Sequence, residues 1–208
     1  MLYAFCKFWC RLYVFLFYPT RVLGRKKLEK GVVVCNHFEA MDIPVVGVKI
    51  PFRLCAIAKK ELFEKRFTGW FLRRLGGIPV DRQAPGAGTI KQVVMQLKGG
   101  RSLLIFPEGT RNRTGSDEMQ DIKGGASLFA LMAGSKIIPV RLRRPPKFWR
   151  RNVLAVGDPI EFEGKYNREN MEALDNLIIE RMAQLKTEID EFVTRKQRKR
   201  ARAGKVES

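Results

Sequence analysis

Histidine occurs once in this chain of 208 residues, at position 37, so any imidazole chemistry rests on that single side chain. Cysteine is scarce as well. Cys6, Cys10, Cys35 and Cys55 follow no metal-ligand spacing and are too few for the disulfide framework of a small secreted protein. Cys6 and Cys10 share one helical face inside an apolar stretch. Reduced, buried thiols are the expected state, with the protein facing the cytoplasm. No small-residue cleavage site follows the apolar N-terminus, which argues against a secretory signal. The first apolar stretch falls short of the about 20 residues a membrane-spanning helix requires, because Lys7 and Arg11 interrupt it. Acidic residues are outnumbered: 21 Asp and Glu face 40 Lys and Arg, for a net charge of +19. Seven of the positive charges lie in residues 195–205, so +12 (19 − 7) remains without them. Such a surface seeks anionic partners: nucleic acid, anionic lipid headgroups or phosphorylated substrates. No internal repeat is present.

What remains is an ordinary apolar content of 45% in a length that fits one domain with a substantial core. Residues 1–18, MLYAFCKFWCRLYVFLFY, are apolar or aromatic apart from the two cations. On a helix Lys7 and Arg11 fall on one stripe and leave a wide face of Leu, Phe, Trp, Tyr and Val. A helix lying in the membrane interface has this pattern, and so does a helix packed on the protein's own core. Residues 1–22 are expected to be a membrane-associating segment, with Lys7 and Arg11 meeting headgroups.

Further along, apolar runs and amphipathic stretches alternate. Strands are predicted at 31–36, 53–58, 77–81, 102–106, 136–142 and 153–157, with helices at about 43–50, 60–75, 86–98 and 124–134. Strands separated by segments of this length form βαβ units. The expected fold class is α/β: a mainly parallel sheet covered by helices, with an N-terminal membrane-interfacial helix. A last helix, at about 168–194, carries Met171, Leu174, Ile178, Met182, Leu185, Ile189 and Phe192 on one stripe, suited to packing on the sheet. Beyond it apolar content collapses, so the division is a core domain at 23–194 and a basic, disordered tail at 195–208.

The stretch NHFEAMD, residues 36–42, follows an apolar run and pairs the lone His37 with Asp42. On one straight helix these two would point about 140° apart. With His37 in the loop and Asp42 at a helix start, the chain turns between them; Pro44 suits that first turn. Asp42 can then accept Nδ1–H of His37, leaving Nε2 as a general base for a hydroxyl proton. Asp42 as a plain helix cap beside a loop histidine fits this segment too. A covalent alternative uses Cys35 beside His37, although Cys35 ends a Val-Val-Val run suited to a buried small hydrophobe. Two further segments, GGIPVDR at 76–82 and FPEGTRN at 106–112, place arginines and backbone amides at strand ends, where α/β folds keep their ligand sites. The guanidinium forks of Arg82 and Arg111 suit phosphate. Gly109 lets backbone approach closely, and Glu108 can fix an arginine or bind a substrate hydroxyl. As a plain turn, the Pro-Glu-Gly-Thr stretch needs no ligand.

Together these segments resemble the glycerophospholipid acyltransferases, particularly the 1-acylglycerol-3-phosphate acyltransferases. The resemblance rests on NHFEAMD, GGIPVDR, FPEGTRN and IIPVRL in the family's order, across 36–142. Pro79 and Asn112 depart from the residues common there. The resemblance implies a His37–Asp42 catalytic pair and substrate contacts at Lys59, Arg82, Glu108, Gly109, Thr110 and Arg111. It implies no metal and no cofactor. An acyl-CoA or acyl carrier protein thioester would be the co-substrate, and the sn-2 hydroxyl of 1-acylglycerol 3-phosphate (lysophosphatidic acid) the acceptor, giving phosphatidic acid. Partners would be these lipids and an anionic membrane surface, with the protein peripheral or monotopic on its cytoplasmic face. Other acceptors, glycerol 3-phosphate or a different lysolipid, fit the same motifs. In a different class, +19 fits a nucleic-acid-binding module, which explains neither the His37–Asp42 pair nor the aromatic N-terminus. No nucleic acid is expected as a partner.

Overall fold

Val32–Cys35 is buried on both faces, as a central parallel strand must be, and its side chains alternate between two cores. The computed structural model describes residues 1–25, 28–81, 86–112 and 122–204, with side chains as far as 198. Its elements are α1 (Leu2–Phe17), β1 (Thr20–Gly24), β2 (Val32–Cys35), α2 (Asp42–Gly47), β3 (Leu54–Lys59), a 3-10 turn (Lys60–Phe63), α3 (Arg66–Leu75) and β4 (Gly77–Val80). There follow α4 (Ala87–Lys98), β5 (Ser102–Ile105), α5 (Gly125–Ala133), β6 (Ile137–Leu142), β7 (Asn152–Val156) and α6 (Arg168–Gly204).

The seven strands form one sheet in the order β1-β7-β6-β2-β5-β3-β4. Strands β2 to β6 run parallel to one another, whereas β7 pairs antiparallel with β6 and β1 runs parallel to β7. The α/β class and the mainly parallel sheet covered by helices therefore hold. Val32 and Val34 join Val93 and Leu97 of α4, Phe129 of α5 and the stripe of α6 in one core. Val33 and Cys35 join Val14 of α1 and Val45 and Val46 of α2 in the other. Along α6, Leu174, Ile178, Met182, Leu185 and Ile189 are buried. Burial of each is worth roughly 1.5–3 kcal/mol.

Three expectations need correction. The strand Thr20–Gly24 was not anticipated, because its TRVLG sequence lies at a sheet edge with mixed exposure and lacks an apolar run. It straddles residue 22, so the sheet begins inside the segment set apart for the membrane. Helix α6 continues to Gly204, ten residues past the expected end at 194, because Arg, Lys, Gln and Ala are strong helix formers and no proline or glycine intervenes before Gly204. Lys7 faces the protein: its Nζ donates to the carbonyls of Ile50 (2.6 Å) and Phe52 (2.9 Å). Burial, with Arg11 nearby, lowers its pKa. The exposed side of α1 is the aromatic one, carrying Phe5, Phe8, Trp9, Leu12, Tyr13, Phe15 and Leu16. Among the described residues, no helix is long and apolar enough to cross a membrane. Cys35 and Cys55 are buried, Cys6 and Cys10 only half-buried, and all four are free thiols.

Candidate active site

With β2, β5, β3 and β4 parallel, the segments that follow them all leave the sheet at one edge, its carboxyl end. NHFEAMD follows β2, FPEGTRN follows β5, and Lys59 ends β3. Arg82 belongs to the segment after β4 and lies outside the described residues.

Asn36 takes the first step past β2. Its side chain accepts from the Leu142 amide (2.8 Å) and donates to the Leu142 carbonyl (3.0 Å), stitching the loop to the end of β6. The chain then turns at His37, and α2 begins at Asp42, where the missing N–H of Pro44 costs nothing in the first turn. The turn brings the two side chains together. His37 Nδ1 stands 2.8 Å from Asp42 Oδ2. The same oxygen accepts the amides of Phe38 (2.6 Å) and Glu39 (2.8 Å), so Asp42 holds the loop as well as the ring. Asp42 is fully buried, and a buried carboxylate taking N–H donors remains an acceptor. Facing this acceptor, Nδ1 is the ring nitrogen placed to donate to Asp42. Asp42 ties down the loop that precedes α2 and contacts the imidazole with one oxygen, and α2 has no side-chain cap.

The FPEGTRN segment clasps the same histidine from the other side. The Phe106 ring stacks on the imidazole, centroids 3.9 Å apart and 19° from parallel. Glu108 Oε1 accepts the His37 amide (3.3 Å), and the Asn112 amide donates to the His37 carbonyl (2.7 Å). Ring, N–H and C=O of His37 are each fixed, and its side chain keeps 10% of its surface exposed. Glu108 is buried to 2% exposure, consistent with tying the loops together. Gly109 has φ +69°, a left-handed conformation that favours glycine at this turn. Thr110 and Arg111 are exposed beside it. Burial and Asp42 raise the Glu39 carboxyl, while Arg111 pulls it back down, so Arg111 acts electrostatically on the histidine loop. Lys59 is exposed at the same edge, 3.4 Å from Glu61.

Cys35 does not join this group. It is fully buried in the core shared with α1 and α2. Burial, with Asp42 adding to it, pushes its thiol well above the ordinary range, the opposite of an activated nucleophile. Cys35→Ala should fold, at a cost of about 1 kcal/mol, and retain turnover. Loss of turnover in the folded variant, with an acyl-enzyme trapped in wild type, would favour the covalent route.

Sequence reasoning quoted Asn36, Phe106 and Asn112 within its motifs without giving them a task. An amide side chain directly after an all-apolar buried strand is a signal that it completes a neighbour's ladder. Among the described residues, no group of three or more His, Cys, Asp or Glu side chains could hold a metal ion.

The acyltransferase family model matches residues 20–143, which contain this entire arrangement. The chain is 29% identical over 203 residues to the 1-acyl-sn-glycerol-3-phosphate acyltransferase of Bacillus subtilis, covering 92% of this chain and 100% of the relative. It is 35% identical over 159 residues to the enzyme of the same name from Streptococcus pneumoniae, covering 72% of this chain and 58% of the relative. The fold matches the crystal structure of the 1-acyl-sn-glycerophosphate (LPA) acyltransferase, PlsC, from Thermotoga maritima, with a TM-score of 0.67 and 23% identity over 91% of this chain and 79% of that one. This chain belongs to the acyltransferase family.

Proposed function

We propose that the protein is a 1-acylglycerol-3-phosphate O-acyltransferase, using acyl-CoA or acyl carrier protein as thioester donor. The observation that carries the reading is the His37–Asp42 pair, clasped by the FPEGTRN loop at the edge where Lys59 and Arg111 also emerge. His37 Nε2 takes the proton from the sn-2 hydroxyl as that oxygen attacks the thioester carbonyl. The tetrahedral intermediate collapses by breaking the C–S bond, and His37 returns the proton to the departing thiolate. Phosphatidic acid and the free thiol are the products. The acceptor phosphate is held by Arg111 and Arg82 with Lys59, beside the Gly109–Thr110 turn, and Glu108 keeps that loop on the histidine. Purified protein offered both donor types and a panel of lysolipids and glycerol 3-phosphate should acylate 1-acylglycerol 3-phosphate fastest. Faster transfer to another panel member would replace the acceptor.

Arg111 should act on the acceptor rather than the donor. If it holds ground state and transition state equally, Arg111→Ala raises acceptor KM with little change in kcat. Arg111→Lys rescues only in part, since an ammonium keeps the charge and loses the fork. A shift in donor KM instead would end the phosphate assignment.

The acceptor lives in a bilayer, and α1 supplies the contact. Its inner stripe holds the protein through Val14, Lys7 and the Tyr3 hydroxyl, which accepts the Leu54 amide (2.8 Å). Its outer face is aromatic, and Phe67 and Trp70 of neighbouring α3 extend it. On this reading the protein is peripheral, on the cytoplasmic face of the membrane, and its four free thiols support that reading, since thiols stay reduced there. Deleting residues 1–22 would also remove three of the five residues of β1 and the core residue Val14, so substitution is the cleaner probe. Replacing Phe8, Trp9, Phe15 and Leu16 by serine should weaken binding to neutral vesicles at high salt by at least ~10-fold. It should impair transfer to bilayer-presented acceptor more than to a short-chain soluble one. Unchanged sedimentation with neutral vesicles would place the contact elsewhere.

A further inference from the structure

A cleft of about 380 Å³ lies between the β6–β7 connection and the end of α6, and the acyl-transfer chemistry makes no use of it. Six cations line it: Arg21 from β1, Arg143 and Arg144 after β6, Arg150 and Arg151 before β7, and Lys196 from α6. Among the described residues, no carboxylate lines it. The Arg21 guanidinium lies over the Phe192 ring, 4.8 Å from its centroid, which fixes one cation at the wall. Five arginines gathered in one cleft raise one another's energy, and an anionic occupant relieves that.

The neighbours of the cleft say which anion. Phe148 and Trp149, at its rim, are 50% and 70% exposed. Trp149 has φ +51°, uncommon for a residue with a side chain, and its amide donates to the Phe17 carbonyl (2.7 Å). Phe148 stacks on Phe17 at 5.3 Å. The rim is thereby fastened to the last residue of α1, and its exposed rings continue the aromatic face of that helix. Arginines beside outward-held aromatic rings suit the boundary between lipid headgroups and acyl chains. The cleft also sits at the catalytic edge, because Arg143 follows Leu142, which Asn36 binds next to His37. It occupies the flank of β6, β7 and β1, across β2 from Lys59 on β3.

We infer that this cleft binds the phosphate of an anionic membrane phospholipid and is a second, headgroup-selective membrane contact. An interfacial helix alone defines a line and leaves the protein free to roll about it. A charged contact off that line stops the rotation and holds the carboxyl edge of the sheet, with His37, toward the bilayer. Guanidinium forks match phosphate oxygens, and the attraction weakens with salt. The inference rests on the membrane-facing reading of α1, and its test needs no turnover.

The full chain is floated with vesicles of phosphatidylcholine alone or mixed with phosphatidylglycerol, across a salt series. Neutral vesicles report α1, and the gain on adding anionic lipid reports the cleft. Changing Arg143, Arg144, Arg150 and Arg151 together to glutamine should cut that gain at least ~10-fold, with neutral binding kept. A variant with Lys91, Lys98, Lys165 and Arg168 changed to glutamine loses the same formal charge elsewhere and should keep most of the gain. Equal losses in both variants, or no loss in the first, overturn the site. A second arm leaves the arginines in place: with Trp9→Phe and Trp70→Phe, Trp149 is the only tryptophan. Its emission should shift to the blue with anionic vesicles and not with inorganic phosphate or glycerol 3-phosphate. A saturable shift with free phosphate alone, or cleft variants that keep vesicle binding and lose binding of acyl-CoA or acyl carrier protein, would overturn the lipid assignment.

Discussion

His37→Ala should lower kcat by about 10²- to 10⁴-fold, the usual worth of a general base, equal to roughly 2.7–5.5 kcal/mol of barrier. No other imidazole can take over, since the chain has no second histidine. The fold should survive. The substitution removes the ring stacked on Phe106, worth about 0.5–1.5 kcal/mol beyond its buried area, and leaves the backbone bonds to Glu108 and Asn112 in place. Circular dichroism and thermal unfolding check the fold, and steady-state transfer to saturating acceptor checks the rate. Because the base works on the reacting hydroxyl, kcat should fall far more than acceptor KM changes.

Asp42→Asn should be nearly as damaging, by roughly 10²-fold or more, while the protein stays folded. An asparagine oxygen can still accept the Phe38 and Glu39 amides, so the loop keeps its shape at a cost of about 2 kcal/mol or less. That same oxygen still faces Nδ1, but its charge is gone, so it no longer stabilises the imidazolium that forms when Nε2 takes a proton. The base would then be weakened without being moved. Asp42→Ala separates the two tasks: it leaves two loop amides without their acceptor and should also destabilise the fold, by about 2–5 kcal/mol. Equal rates in wild type and folded Asp42→Asn would reduce Asp42 to an anchor for the loop.

The contact between His37 and Asp42 was legible because its geometry is local. Five residues, a strand end, a turn and a helix start suffice to bring His37 to Asp42, and Pro44 marks where the helix begins. The clasp from FPEGTRN was not legible in the same way. Glu108 and Asn112 reach His37 across about seventy positions of chain, and only the pairing of β2 with β5 brings them there. The six apolar runs became strands because buried parallel strands read as continuous hydrophobic stretches. Thr20–Gly24 escaped notice because an edge strand need not be apolar. The reversal at β7 is set by the short 143–151 connection, which turns the chain back instead of crossing over. In α1 the wide aromatic face is the exposed one, as expected, and only Lys7 departs from the expected arrangement. Lys7 and Arg11 share a stripe, yet the Ile50 and Phe52 carbonyls accept the Lys7 ammonium, a contact that sequence spacing cannot reveal. Arg11 is exposed, in keeping with the headgroup role proposed for it.

The most direct test of the central claim is product formation from defined components. Wild-type protein and folded His37→Ala are each given 1-acylglycerol 3-phosphate in vesicles, with acyl-CoA and acyl carrier protein donors in separate reactions. Phosphatidic acid is then quantified by mass spectrometry. Wild type should form phosphatidic acid with at least one donor, releasing one thiol per product, and His37→Ala should form at least ~10²-fold less in the same time. Phosphatidic acid at comparable rates from both proteins would contradict the assignment of His37 as the base, and none from wild type with either donor would contradict the proposed reaction.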